Sequence, residues 1–176
     1  MNSLASAPST ASALDAPLGR RRRFPVGAVL ADRLDDASVV DVAVRLAVAH
    51  RGPLLLIALM PPLPPRGVAL RPERAAVRAV LGRALPRVLR AGISYDAAVW
   101  HRPAERDGRL GAARALLDLA MAQNCASLVI SRTGPAGLDA CTVMEAAALR
   151  GGPVVRAASP VPWAPLTAPC PPVHRA

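Results

Sequence analysis

The 176 residues are too few to divide comfortably into two domains and enough to close one sizeable core. Hydrophobic residues make up 52% of the chain but aromatic ones only 2%, so that core must be built from Ala, Val and Leu packed through close backbone approach. The formal charge of +10 is carried by arginine alone, since all 22 basic residues are Arg; spread along the chain and without stacking aromatics, it argues against a specific nucleic-acid role.

Arg-, Ala-, Pro- and Gly-rich usage without lysine reads as the product of a GC-rich bacterial genome. Residues 1–22 are Ser, Ala, Thr and Pro ending in the cluster Arg20 to Arg23, which predicts a disordered basic tail. Arg20 to Arg23 with the run Val26 to Ala31 has the outline of a twin-arginine signal. The run stops at Asp32, with Arg33, Asp35 and Asp36 close behind, and is too short for an export signal. It predicts a first buried strand instead.

The ordered domain is expected over residues 23–158. After the polar loop Asp32 to Asp36, Ser38 with Asp41 three positions on forms a capping pair for a helix through His50, with Val40, Val44 and Ala47 on its apolar stripe. Leu54 to Met60 is a continuous apolar run, as a strand buried on both faces requires. A proline-rich loop follows, and Pro72 opens a second helix whose Val77, Val80, Leu81, Leu85, Val88 and Leu89 recur at helical spacing. Pro86 should kink that helix and Gly92 should close it.

A third strand is predicted over Ser94 to His101, a third helix over Arg109 to Gln123, and a fourth strand over Ser127 to Ser131. The loop Arg132 to Leu138 then leads to a fourth helix over Ala140 to Leu149, and Gly151-Gly152-Pro153 turns into a short fifth strand, Val154 to Ala157. This βα alternation predicts an α/β domain with a mainly parallel sheet and helices on both faces. Residues 159–176 carry six prolines and form a tail, in which Trp163 alone could dock back on the domain.

Three scattered cysteines, Cys125, Cys141 and Cys170, give neither a disulfide framework nor a CxxC pair, which suits a reducing, cytoplasmic setting. His50, His101 and His174 lack the spacing of a zinc site, and no apolar run is long enough to span a membrane. His101 with Glu105 or Asp107 is the nearest acid–base candidate and reads as a solvated loop. Cys141 sits where a helix dipole could lower a thiol pKa, although a small buried hydrophobe is the default reading. No set of nucleophile, base and oxyanion donors can be assembled, so the expectation is a protein that is not an enzyme.

The element order, the loop Ser131-Arg132-Thr133-Gly134-Pro135-Ala136-Gly137 and the ending Gly152-Pro153-Val154-Val155 together resemble the universal stress protein family, over about Val26 to Ala158. The resemblance implies an open five-stranded parallel sheet of order 3-2-1-4-5, of the adenine nucleotide alpha hydrolase-like type. Ligands of such sheets bind at the topological switch point between strands one and four, where the loops Ala31 to Ser38 and Ser131 to Thr142 would meet.

Nucleotide-binding members carry an acid at the end of strand one. After strand four they carry Gly-x-x-Gly, nine residues, then Gly with Ser or Thr, so that backbone N–H groups and a helix N-terminus cradle phosphates. Counted from Ser131 and Gly134, the later pair falls on Met144-Glu145, or on Ala140-Cys141 with a shortened loop; counted from Gly134 and Gly137, it falls on Ala147-Ala148. Neither register restores the motif.

The resemblance therefore implies a non-catalytic stress-response regulatory or interaction module with a degenerate nucleotide pocket. The alternative is a working ATP or adenine-nucleotide binder, using Asp32 for the adenosine end, Gly134 and Gly137 for close backbone approach, and Thr133 or Thr142 for a phosphate oxygen, with Ser131 at the first glycine position of the motif. An enzyme of the wider nucleotide alpha-hydrolase-like superfamily is the remaining reading. The resemblance also implies a homodimer through Val154 to Ala157, unless the proline-rich tail and Trp163 cover that edge instead.

Overall fold

The computed structural model describes residues 24–62, 71–103 and 110–159. Nine elements alternate along the chain: β1 (Val26–Leu30), α1 (Asp36–His50), β2 (Leu54–Met60), α2 (Arg71–Arg90), β3 (Tyr95–His101), α3 (Gly111–Ala122), β4 (Ser127–Ser131), α4 (Ala140–Arg150) and β5 (Val154–Ala158). The five strands form one sheet in the order β3-β2-β1-β4-β5, and every neighbouring pair is parallel. This is the order that the sequence resemblance implied. The tail residues 1–22, Glu105, Asp107, Trp163 and Cys170 lie outside the described residues.

Parallel neighbours need a crossover between them, and the crossovers here place α1 and α2 on one face and α3 and α4 on the other. The strand period of two then divides β2 between two cores. Leu54, Leu56 and Ala58 pack with Val39, Val40, Ala43, Val80 and Val88 on the first face. Leu55 and Ile57 pack with Leu116, Leu117, Ala120, Leu128 and Val143 on the second. Each such large side chain, withdrawn from water, contributes about 1.5–3 kcal/mol. That gain explains why β1 and β2 read as unbroken apolar runs, and β4 as Leu-Val-Ile between two buried serines, while the edge strands β3 and β5 carry charged residues.

One expected cap is corrected. The first helix starts at Asp36, two residues before Ser38, so Ser38 lies in its first turn and does not cap it. The Asp35 carbonyl accepts the N–H groups of Ser38 and Val39, at 3.0 and 3.2 Å. The Asp36 carboxylate folds back onto the N–H of Ala31 and of Arg33, each at 3.1 Å. Ala31 is thereby drawn into the loop, and β1 ends at Leu30. Pro86 sits inside α2, and Gly92, just past its end, has φ +64 as a left-handed terminator.

Candidate functional site

The switch point of the sheet lies at the carboxyl ends of β1 and β4, where the loop before α1 meets the loop before α4. Ser131, the last residue of β4, is buried and places its hydroxyl at this junction. It donates to a carboxylate oxygen of Asp35 and accepts the Thr133 N–H at 3.1 Å. The Thr133 hydroxyl donates to the same Asp35 oxygen at 2.9 Å.

Asp35 is the N-cap residue of α1, yet its side chain makes no cap bond; it crosses to the β4 loop instead. Burial pushes the Asp35 carboxyl pKa up, but the Ser131 and Thr133 hydroxyls, with backbone N–H donation and Arg33 nearby, hold it below its ordinary value. Its neighbour Asp36 is shifted the other way, mainly by burial, and the Asp35 charge adds to the rise.

The second half of the crevice is the N-terminus of α4. Asp139 caps it: its carboxylate accepts the Thr142 N–H at 3.0 Å and the Thr142 hydroxyl at 2.7 Å. These Thr142 bonds hold the Asp139 carboxyl below its ordinary value, and the helix N-terminus favours the same charge. A carboxylate of the chain itself thus stands at the N-terminus of α4, on the Thr142 N–H.

Both glycines of the loop have structural reasons to be glycine. Gly137 has φ +76, and Leu138 N–H reaches the Pro135 carbonyl at 2.8 Å, which is the geometry of a turn with glycine at its third position. A Cβ on Gly134 would stand 2.5 Å from the Leu138 carbonyl oxygen, so the loop folds tightly onto the start of α4.

Of the residues singled out from the sequence, Ser131 and Thr133 come together on Asp35, while Thr142 is engaged by Asp139. Asp32 does not join them by any hydrogen bond or ion pair described for it: with φ +59, it pairs with Arg83 of α2. The acid that spans the switch point, Asp35, was missed by sequence reasoning. The signal available was the doublet Asp35-Asp36, in which one carboxylate serves the local turn and leaves the other to reach outward.

The remaining candidates are elsewhere. His101 Nδ1 lies 3.0 Å from the Pro61 carbonyl oxygen at the end of β3. Cys141 is exposed in the first turn of α4. Cys125 is buried, and burial pushes its thiol up to about 11. Among the described residues no group of three or more His, Cys, Asp or Glu could hold a metal ion, and no helix is long and apolar enough to cross a membrane.

No model of a known protein family matches this sequence, and no curated protein matches it either. Solved structures do. The universal stress protein from Archaeoglobus fulgidus in complex with dAMP is similar with a TM-score of 0.56 at 17% identity, over 77% of this chain and 98% of that one. A protein from the universal stress protein family of Burkholderia pseudomallei gives 0.55 at 17% identity, over 77% and 97%. A universal stress protein in complex with cAMP gives 0.51 at 20% identity, over 77% and 96%. The fold of this chain is thus that of the universal stress proteins, with its five parallel strands in the order 3-2-1-4-5.

Proposed function

We propose that this chain is a non-catalytic member of the universal stress protein family, a regulatory or interaction module whose nucleotide crevice is filled by its own carboxylates. The observation that carries the reading is Asp35, which takes the hydroxyl donors of both Ser131 and Thr133. Asp139 supports it by occupying the N-terminus of α4. A phosphate brought to this crevice would meet two carboxylates where it needs donors, and like charges at hydrogen-bond distance repel strongly in a partly desolvated site.

The second reading, an adenine-nucleotide binder, is favoured by the placement of the crevice at the switch point and by two similar structures being complexes with dAMP and cAMP. It requires Asp35 and Asp139 to swing away. Thermal unfolding of the full chain with AMP, ADP and ATP separates the two, because saturating ligand raises Tm by mass action. No rise with any of the three is expected. A saturable rise with any of them would overturn the closed-crevice reading. The cytoplasm is the proposed setting, on the unpaired cysteine spacing, and a homodimer through β5 is the proposed assembly.

A further inference from the structure

Among the described residues the edge strand β3 pairs only with β2. At its two ends the Ser94 carbonyl accepts the Leu54 N–H and the Arg102 N–H reaches the Met60 carbonyl, each at 3.0 Å, so the even-numbered residues turn their backbone groups toward β2. The N–H and C=O groups of Tyr95, Ala97 and Val99 therefore point to the open side.

The same three residues carry their side chains on the α2 face, because the register sets them beside Leu54, Leu56 and Ala58, which pack on that face. The row is bare: Tyr95 is 38% and Val99 43% exposed, with Ala97 exposed between them. Next to it a groove of about 480 Å³ runs between Val99 and the flank of α2, where it is lined by Val77, Arg74 and Arg78. Tyrosine and arginine are residue types enriched where proteins meet.

The charge of the groove is unanswered. Arg83 and Arg87 of the same helix pair with Asp32 and Asp41, but among the described residues Arg74 and Arg78 pair with no acid. Arg78 Nε donates to the Arg74 carbonyl at 3.3 Å, which uses one of its five donors. Four positions apart, the two arginines are separated by about 6 Å along α2. Alternate residues of an extended strand are separated by about 6.6 Å, so acids at every second position would meet both.

We infer that the β3 edge takes up an extended acidic segment of another protein, which adds a strand beside Tyr95, Ala97 and Val99 and sets alternate carboxylates on Arg74 and Arg78. The edge selects a polypeptide, since its alternating donors and acceptors need a backbone in register, which a sugar, a base or free phosphate does not supply. A second copy of the chain is a poor occupant here: paired about a two-fold, it would bring the same arginines to the same face of the joined sheet. The chain's own remaining segments are no better. Residues 63–70 and 160–176 hold no acid, residues 1–23 hold Asp15 against Arg20 to Arg23, and residues 104–109 hold as many arginines as acids. The inference gives the interaction role proposed above a surface, and it is independent of what the β1–β4 crevice takes.

The probe is a peptide as long as β3 that alternates threonine and glutamate, titrated calorimetrically into the full chain. A peptide of the same composition with its glutamates in one block measures plain charge attraction, including any to Arg20 to Arg23. The alternating peptide should bind with a Kd on the order of 0.1 mM and the blocked one at least tenfold more weakly. Arg74→Gln/Arg78→Gln should lose about tenfold, since two exposed charge pairs are removed. Ala97→Pro removes an outward N–H and leaves the ladder to β2 intact, so it should abolish binding while circular dichroism and Tm show the fold retained. No binding of the alternating peptide, equal binding of the blocked one, its displacement by an equal concentration of inorganic phosphate, or undiminished affinity in either variant would each overturn the assignment.

Discussion

Thr133 and Asp35 are 98 residues apart in sequence, and the hydroxyl of one donates to the carboxylate of the other at 2.9 Å. With the Ser131 bond to the same oxygen, this side-chain tie joins the β1 and β4 loops across the switch point. A hydrogen bond to a charged group contributes about 1.5–3 kcal/mol. Asp35→Ala should lower the unfolding free energy by about 2–3 kcal/mol, because Ser131 is buried and loses its acceptor while Thr133 can turn to water. Urea unfolding at neutral pH measures this, and a change near zero would show that the tie is idle.

The same tie sets a pH dependence. The Asp35 carboxyl lies below its ordinary value of 3.8 in the folded chain, so between the two values the unfolded chain binds more protons. Its stabilisation is complete above the unfolded value and is lost as pH falls from about 4 through the lowered folded value. Asp139 has the same sign, whereas Asp36, raised by burial, is favoured in its protonated form and opposes them at the acid end. Asp35→Asn should therefore flatten the acid limb of a stability-versus-pH curve without removing it. An unchanged limb would count against the assigned direction.

Asp139 tests the second half of the crevice. Replacing an N-cap by alanine costs about 1 kcal/mol, and serine at the same position restores most of it. Asp139→Ala should accordingly lower stability by about 1 kcal/mol and Asp139→Ser by less. The serine variant also removes the resident charge from the N-terminus of α4, so the variant Asp35→Asn/Asp139→Ser should show a Tm rise with AMP that the parent lacks. If the double variant is as indifferent to AMP as the parent, something other than these two carboxylates closes the crevice.

The central strands were legible because burial on both faces demands an unbroken apolar run, and β4 was expected with the bounds Ser127 and Ser131 that it has. Gly92 was legible as a terminator because few other residues accept φ +64. The start of α1 was not legible: both Asp35-Asp36 and Ser38 with Asp41 satisfy the local grammar of a helix start. The choice between them depends on Ser131, 96 residues beyond Asp35, which pulls the Asp35 side chain out of the cap. Ser131 and Thr133 could be singled out by their place in the loop, but the identity of their partner is a tertiary fact. The strand order came from the family resemblance, since βα alternation alone leaves several orders open.

Gly134 carries a warning for experiments on this loop. With 2.5 Å between its would-be Cβ and the Leu138 carbonyl oxygen, and backbone rather than a flexible side chain opposite, any larger residue must displace the loop. Gly134→Val should cost about 1–3 kcal/mol, as overpacking does, and weaken the Asp139 cap with it. Gly137→Asn should cost less, since Asn tolerates the left-handed conformation that φ +76 requires. Guanidinium unfolding of both variants ranks them, and a reversed order would mean that the Gly134 contact relaxes without penalty.

The last prediction concerns the β5 edge. Among the described residues β5 pairs only with β4, so its other side presents N–H and C=O groups with no strand beside them. Val154 is 59% exposed there, and Val155 and Ala157 share a shallow groove with Val42 and Leu46 of α1 and Met144 of α4. A second copy of the same strand, added about a two-fold axis, would cover this apolar strip and satisfy the backbone groups of both edges at once. Arg45 and Arg156 line the same groove, and across a two-fold each would approach its own kind or its neighbour's. The dimer should accordingly be weak at low salt and strengthen as salt screens the arginines, opposite to the trend of an ion-paired interface. Light scattering on the full chain at low and high ionic strength, beside Val154→Asp, measures it. A dimer that grows with salt and is abolished by Val154→Asp is the expected outcome. A monomer at every salt and concentration would remove β5 as an interface, and a dimer indifferent to Val154→Asp would place the interface elsewhere.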